Sequence, residues 1–246
     1  MPVPETTLRP LLLLQCRNPD DPMRQHEIEC FVWHSGVARD AISVINVPER
    51  MPDREDIQRC SGVLMGGSGD YSSLDDEHWI DGLIDFCRDE LIANGKPTFA
   101  SCFGFQILVR AVGGVMIRDP AKTEFGTYDL ELTVPARNDP IFGDLPRVFP
   151  AQVGHHDRAR WVPEHVRTLA STPLCPIHAF RIGDLPIWAT QFHPELTMDD
   201  LKLRYSYYQH YADDVGDAQP TMGESQAAST LLARFVQWLQ TAEGER

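Results

Sequence analysis

The stretch Pro97-Thr-Phe-Ala-Ser-Cys-Phe-Gly-Phe-Gln106 predicts a buried β-strand that turns abruptly into an α-helix at Cys102. Small residues two positions before and after the cysteine, Ala100 and Gly104, allow the strand and the helix to approach closely. The N-terminus of the helix would favour the thiolate and would aim the N–H of Phe103 at a developing oxyanion. We therefore predict a nucleophile elbow, a turn usually described for serine.

A second segment, Gln191-Phe-His-Pro-Glu195, offers the two groups that a cysteine nucleophile needs. His193 follows an apolar run and would lie at the carboxyl edge of a strand, where open α/β sheets bind ligands. Glu195 can accept a hydrogen bond from one imidazole nitrogen and so direct the other nitrogen at the sulfur. By its local pattern alone, Cys102 fits an unreactive buried cysteine equally well. The three residues together predict nucleophilic attack on an amide or related acyl carbon.

Two polar loops accompany these segments. Gly66-Gly67-Ser68-Gly69 follows a predicted strand, and we expect the N–H of Gly67 to bind an oxyanion. The loop lacks the Lys-Ser/Thr and the full Gly-x-Gly-x-x-Gly of nucleotide sites. Gly154-His155-His156-Asp157 contains adjacent histidines that would point different ways from a strand, with no further ligand at a suitable spacing. We therefore expect no metal and no cofactor, and a loop that lines the substrate pocket.

Short apolar runs alternate with segments of helical spacing, which predicts an α/β fold. We expect an open, mostly parallel sheet flanked by helices, with additional antiparallel strands. The expected strands span residues 11–15, 41–47, 62–65, 98–101, 128–134, 148–153, 166–171 and 185–192. The expected helices span residues 23–34, 76–93 and 103–112, and another begins at a Thr197 cap. Residues 1–246 would form one domain with a core at about 11–211, a surface loop at 212–223 and a C-terminal helix at 224–241.

The composition is that of an ordinary globular protein, with 42% hydrophobic and 24% charged residues among 246. The formal net charge of −14 disfavours nucleic acid and anionic membrane surfaces as main partners. The longest apolar run, Leu11-Leu-Leu-Leu14, falls short of the roughly 18 residues that a membrane-spanning helix needs. The six cysteines form no Cys-x-x-Cys pair, so we expect a reducing, cytoplasmic location.

Together these segments resemble a class I glutamine amidotransferase domain, over roughly residues 11–211. Glu124-Phe-Gly126 and Cys175-Pro-Ile-His-Ala-Phe180 also carry the resemblance, and the Gln-Phe-His-Pro-Glu segment is its most specific part. Within the family, the chain is similar to free-standing GMP-synthase-like amidotransferases and to γ-glutamyl peptidases. The resemblance implies a flavodoxin-like fold, with Cys102 as nucleophile, His193 as general base and acid, and Glu195 as the group that orients the imidazole.

The resemblance also assigns the residues that would surround the substrate. The N–H groups of Gly67 and Phe103 would form an oxyanion hole, and Gln106 and His155 would contact the substrate. Four positions depart from residues common in the family: Ser68 replaces Pro, Ala100 replaces Gly, Phe105 replaces His and Gly154 replaces Ser. These departures leave every catalytic group in place, but they bear on which γ-glutamyl compound is the substrate.

The implied reaction is hydrolysis of the glutamine side-chain amide through a cysteine γ-glutamyl thioester, which releases ammonia. The sequence contains no ATP-binding loop, so we expect any acceptor enzyme, a synthetase or ligase, to be a separate chain. A second hypothesis is a γ-glutamyl peptide hydrolase that uses the same three residues. A third, a non-catalytic regulatory module, is disfavoured because all three residues are present.

Overall fold

The computed structural model describes residues 9–208 and 221–244, which contain eleven strands and six α-helices. The strands are β1 Leu11–Gln15, β2 Ile42–Asn46, β3 Val63–Met65, β4 Thr98–Ser101, β5 Val115–Arg118, β6 Glu124–Leu132, β7 Val148–His155, β8 Asp157–Trp161, β9 Val166–Ser171, β10 Ala179–Ile182 and β11 Ile187–Thr190. The helices are α1 Met23–Ser35, α2 Arg54–Arg59, α3 His78–Phe86, α4 Phe103–Ala111, α5 Met198–Tyr207 and α6 Leu231–Gly244.

Nine strands form one sheet in the order β2-β1-β3-β4-β11-β10-β9-β6-β7. The first five run parallel to one another, and the remaining four pair antiparallel. β5 and β8 form a separate antiparallel pair. The predicted α/β class, with a parallel sheet flanked by helices and extended by antiparallel strands, is confirmed.

The parallel strands are covered on both faces, which explains their unbroken apolar sequence. Side chains alternate between the two faces along β1. Leu11 and Leu13 pack with residues of α1 and α6, whereas Leu12 and Leu14 pack with residues of α3 and α4. Because parallel strands end at the same edge, β3, β4 and β11 deliver their following loops to one place.

The boundaries differ from prediction where short elements carry no periodic signal. The predicted helix 76–93 consists of two parts. The first is α3, which ends at Phe86, and the second is a π-helical segment, Cys87–Ile92. The predicted strand 185–192 is shorter and follows a turn at Gly183 (φ 51°), which separates it from the unpredicted β10. The sequence also does not predict α2, β5 and β8: each buries at most two of its residues, so none contains an apolar run or a helical period. The predicted surface loop lies mostly outside the described residues, and α6 begins only at Leu231.

None of the helices within the described ranges is both long enough and apolar enough to cross a membrane.

Gly104 allows α4 to pack directly on β3 and β4. A Cβ atom built on Gly104 would lie 2.7 Å from the Cβ of Met65 and 3.2 Å from the Cβ of Ala100. We expect Gly104→Ala to lower the free energy of unfolding by about 1–3 kcal/mol, because the helix must move away from the sheet. Chemical denaturation of the two proteins measures the difference.

The matched control is Gly82→Ala, a glycine of α3. A Cβ atom there would meet Met51 Cε at 3.6 Å, an ordinary contact, and alanine is the better helix former. We expect this variant to be neutral or more stable by up to about 1 kcal/mol. Equal destabilisation by both substitutions would contradict the packing role of Gly104.

Candidate active site

Cys102 occupies a strained turn between β4 and α4. Its backbone angles are φ 50° and ψ −103°, and in the described part of the chain no other residue except glycine has a positive φ. Such conformations cost about 1–3 kcal/mol and are concentrated at functional sites. The Cys102 N–H donates to the Thr190 carbonyl of β11 at 2.8 Å, which holds the turn against the neighbouring strand. The sharp strand-to-helix turn predicted from the sequence is therefore present.

The fold brings His193 and Glu195 to this turn. The His193 N–H donates to the Gln152 carbonyl of β7 at 2.8 Å, which anchors the histidine just beyond β11. Its Nδ1 lies 2.7 Å from Glu195 Oε1, and its ring lies beside Cys102, with which it lines one cavity and borders Gly67. Because Nδ1 faces the carboxylate, Nε2 is the nitrogen left for the sulfur. The structure therefore brings the three residues named by the sequence motifs to one place.

Neighbouring groups outweigh burial in setting the pKa values of His193 and Glu195. Burial lowers the pKa of His193, but Cys102 and Glu195 beside it raise that pKa to about 9. Burial raises the pKa of Glu195, but His193 and then Arg204, whose Nη1 lies 3.8 Å from Glu195 Oε1, lower it to about 2. The histidine is therefore protonated and the glutamate ionised at neutral pH.

Gly67 lies directly against Cys102 and His193. A Cβ atom built on Gly67 would lie 3.1 Å from His193 Cε1 and 3.5 Å from Cys102 Cβ, so a larger residue would crowd the site. Among the described residues, neither the Gly67 N–H nor the Phe103 N–H has a hydrogen-bond acceptor. Both predicted oxyanion donors therefore lie next to Cys102 with their N–H groups available.

A polar cavity of about 290 Å³ opens beside Cys102. Charged and amide side chains line it together with the cysteine: Asp70, Asp75, Gln106, Arg118 and Asp157. The predicted contact residue Gln106 is therefore part of this cavity. An α-amino acid carries both a cationic and an anionic group, and a lining with carboxylates and a guanidinium can bind both.

His155 borders the same cavity, but its ring faces elsewhere. The side chain is 2% exposed, with Nδ1 3.0 Å from the Asp157 carbonyl and Nε2 3.1 Å from Glu124 Oε2. Both ring nitrogens are thus occupied by protein groups, and neither is free for substrate. The predicted substrate contact at His155 has no geometric support in its polar atoms.

A second cavity, of about 40 Å³, also borders Cys102. Its lining includes residues that the sequence motifs did not indicate. Arg17, Arg204 and Tyr208 line it, and all three are buried. No local pattern distinguishes these arginines from the solvated ones, because their burial depends on partners distant in sequence.

The chain is similar to glutamine amidotransferases in sequence and in fold. The family model described as glutamine amidotransferase class-I matches residues 32–207. The chain is 26% identical over 171 residues to one subunit of the glutamine-hydrolysing GMP synthase of Methanocaldococcus jannaschii, covering 70% of this chain and 82% of that protein. It is 30% identical over 159 residues to γ-glutamyl peptidase 3 of Arabidopsis thaliana, covering 62% of this chain and 61% of that protein.

Solved structures show the same fold. The crystal structure of a glutamine amido transferase from Methylobacillus flagellatus matches with a TM-score of 0.68 at 21% identity, covering 96% of this chain and 92% of that chain. Some sequence relatives are much longer than the matched region. The alignment spans 21% of the GMP synthase of Thermosipho africanus and 51% of a GMP synthase subunit from Pyrococcus abyssi.

Proposed function

The chain belongs to the class I glutamine amidotransferase family, and on this basis we propose that it hydrolyses the side-chain amide of glutamine through a thioester on Cys102. The observation that carries the proposal is the placement of Cys102, His193 and Glu195 together at the carboxyl edge of the sheet, with His193 beside the cysteine and bonded to the glutamate. A cavity of suitable charge adjoins the sulfur. Glutamine would place its amide at Cys102 and its α-amino and α-carboxylate groups among the charged side chains.

The first half of the reaction forms the thioester. The Cys102 thiolate attacks the amide carbon, and the displaced electron pair forms an oxyanion that accepts hydrogen bonds from the N–H groups of Gly67 and Phe103. Each such donor is typically worth about 10²–10³ in rate. The His193 imidazolium then gives its Nε2 proton to the amide nitrogen, the C–N bond breaks, and ammonia leaves.

The second half hydrolyses the thioester. His193, now neutral, takes a proton from a water molecule that attacks the thioester carbon. The C–S bond breaks, glutamate leaves, and the thiolate and imidazolium are restored. Glu195 holds Nδ1 throughout and stabilises the imidazolium without itself taking the proton.

Ammonia from this reaction would serve a second enzyme. Several relatives are named as one subunit of a glutamine-hydrolysing GMP synthase, a name that implies at least one other subunit. We propose by analogy that a separate synthetase or ligase chain consumes the ammonia. A cytoplasmic location would fit both this role and a free thiol nucleophile.

The similarity to γ-glutamyl peptidase 3 supports a second candidate function, hydrolysis of γ-glutamyl peptides. The chemistry at Cys102 would be the same, but the leaving group would be an amino acid or peptide rather than ammonia. No acceptor enzyme would then be needed.

A substrate comparison separates these functions. Native protein and Cys102→Ala are offered glutamine and a panel of γ-glutamyl dipeptides, with ammonia, free amino acid and glutamate followed. Cys102-dependent ammonia release, or covalent labelling by a glutamine analogue without turnover, supports the amidotransferase. Cleavage of dipeptides well above glutamine supports the peptidase. A folded native protein that neither reacts with the analogue nor cleaves any substrate would contradict both.

The pH profile tests the role of Glu195. A histidine whose pKa is raised is protonated below that pKa, so acid catalysis by His193 should be lost as pH rises through about 9. Glu195→Gln keeps an oxygen acceptor but removes the charge of one of the two neighbours, Cys102 and Glu195, that raise the pKa of His193. We expect the alkaline limb of kcat/KM to move down by about 1–3 pH units.

The control is Glu131→Gln, an exposed carboxylate that pairs with Arg147 away from the site. It should leave the midpoint of the alkaline limb unchanged. An unchanged midpoint in Glu195→Gln would show that His193 is not the group that titrates in this limb.

A further inference from the structure

Four buried side chains converge behind the substrate cavity. Glu124 begins β6 and pairs across the ladder with His155, which ends β7. Cys175 and His178 come from the segment between β9 and β10. Each residue is at most 2% exposed, and one potential ligand atom from each lies within 4.8 Å of the others.

The hydrogen-bonding capacity of His155 does not match its surroundings. Its Nδ1 faces the Asp157 carbonyl at 3.0 Å, and its Nε2 faces Glu124 Oε2 at 3.1 Å. Both partners are acceptors, whereas a neutral imidazole has a single N–H. His178 Nε2 faces the same carboxylate oxygen, also at 3.1 Å. A cation among these atoms would satisfy both imidazole lone pairs and the carboxylate together.

We propose that Glu124, His155, Cys175 and His178 bind one Zn²⁺ ion. Carboxylate, imidazole and thiolate are the common ligands of zinc. Tetrahedral coordination at about 2.0–2.3 Å places ligand atoms about 3.3–3.8 Å apart. Two of the separations here are 3.1 Å and all are within 4.8 Å, so the site can contract or open slightly to that range.

The charges, and the outer contacts of His155 and Glu124, also suit zinc. One carboxylate and one thiolate neutralise the dication, so the buried site carries no net charge. Nδ1 of His155 donates to the Asp157 carbonyl, the usual outer contact of a zinc-bound histidine. The Thr172 hydroxyl donates to Glu124 Oε1 at 2.6 Å and fixes the carboxylate.

Four protein ligands leave no open position, so the ion is structural rather than catalytic. It joins the end of β7 and the start of β6 to the segment that contains Cys175 and His178. Gly154, next to His155, has its carbonyl 3.9 Å from Cys102 Sγ. The zinc site thereby supports one wall of the candidate active site. The sequence predicts no metal because no further ligand lies at a suitable spacing from the histidine pair, whereas the fold brings three ligands to His155 from elsewhere.

Metal analysis of the full chain, purified without a histidine tag, tests the proposal. We expect about one zinc per chain after zinc repletion and removal of excess, with a lower Tm after a strong chelator. Cobalt substitution should produce a thiolate-to-cobalt charge-transfer band. Cys175→Ser and His178→Gln should each lower bound zinc at least about tenfold, and Cys175→Ser should abolish the band.

Cys60→Ser is the matched control, because Cys60 is a buried thiol that faces the Ile57 carbonyl at 3.4 Å, as Cys175 faces that of Ile177. Cys30→Ser tests the more exposed group of His26, Cys30 and Asp200. Both controls should keep the zinc. A native protein without zinc after repletion, or variants of Cys175 and His178 that retain it, would overturn the proposal. Neither outcome depends on the hydrolase assay.

Discussion

Replacement of Cys102 by alanine is expected to lower kcat for glutamine, or for the preferred γ-glutamyl substrate, by at least about 10⁴-fold. The reason is that no thioester can form, so the reaction loses its two-step route and retains only the binding and oxyanion contributions. Alanine keeps the Cβ atom that cysteine already places in the strained turn, at φ 50°. The fold should therefore survive, and unchanged circular dichroism and unfolding midpoint would show that it does.

The same experiment includes a second thiol as its control. Cys60→Ser alters a buried cysteine that precedes β3, at the opposite edge of the sheet from Cys102, and should retain most of the activity. An electrophilic glutamine analogue should add one adduct to the native protein and to Cys60→Ser, and none to Cys102→Ala. If Cys102→Ala remained within tenfold of the native protein, the nucleophile would have to be another group.

The proximity of Cys102, His193 and Glu195 was predictable because local rules placed each of them. The elbow motif placed the cysteine at the end of β4, and the apolar run before His193 placed the histidine at the end of β11. These strands are parallel neighbours, paired from Ile187 with Thr98 to Thr190 with Ser101. Their carboxyl ends therefore meet, and a two-residue spacing brings Glu195 to the histidine.

The surroundings of His155 could not be predicted in this way. Whether its ring faces the cavity or the interior depends on the order of the antiparallel strands, which brings Glu124 and His178 beside it. Strand order in that half of the sheet follows from long-range packing, and no local motif encodes it. The same reason explains why Arg17 could not be recognised as buried.

Arg17 is the centre of a charged cluster beneath the glycine loop. The side chain is 1% exposed, with Nη1 3.1 Å from Asp21 Oδ2 and Nη2 2.9 Å from Glu27 Oε1. The Tyr208 hydroxyl donates to Asp21 at 2.6 Å, and Gln15 donates to Glu27 at 2.9 Å. One guanidinium is therefore the chief buried counter-charge of two carboxylates that lie away from water.

This cluster also positions the backbone beside the candidate nucleophile. A Cβ atom built on Gly66 would overlap the Glu27 carboxylate, so the loop rests directly on the cluster. The Gly66 carbonyl accepts the N–H of Gly104 at 3.1 Å, which links the loop to α4. A change at Arg17 should therefore affect both the stability of the protein and the position of Gly67.

We expect Arg17→Met to lower the free energy of unfolding by about 3–5 kcal/mol, because it leaves Asp21 and Glu27 buried without their arginine counter-charge. This is a large part of the roughly 5–15 kcal/mol that stabilises a typical domain. The control, Arg54→Met, removes an equally well-formed pair with Glu90, but there the arginine side chain is 69% exposed. It should cost at most about 1 kcal/mol.

Denaturant unfolding of the two variants, and of Arg17→Met combined with Glu27→Gln, measures how the cluster stabilises the fold. The double variant leaves one buried carboxylate without a counter-charge instead of two, so it should be more stable than Arg17→Met alone. If Arg17→Met costs no more than Arg54→Met, the cluster is not held together by charge. If the double variant is no more stable than Arg17→Met, the lost stability arises from the packing of the arginine side chain rather than from the unpaired charge at Glu27.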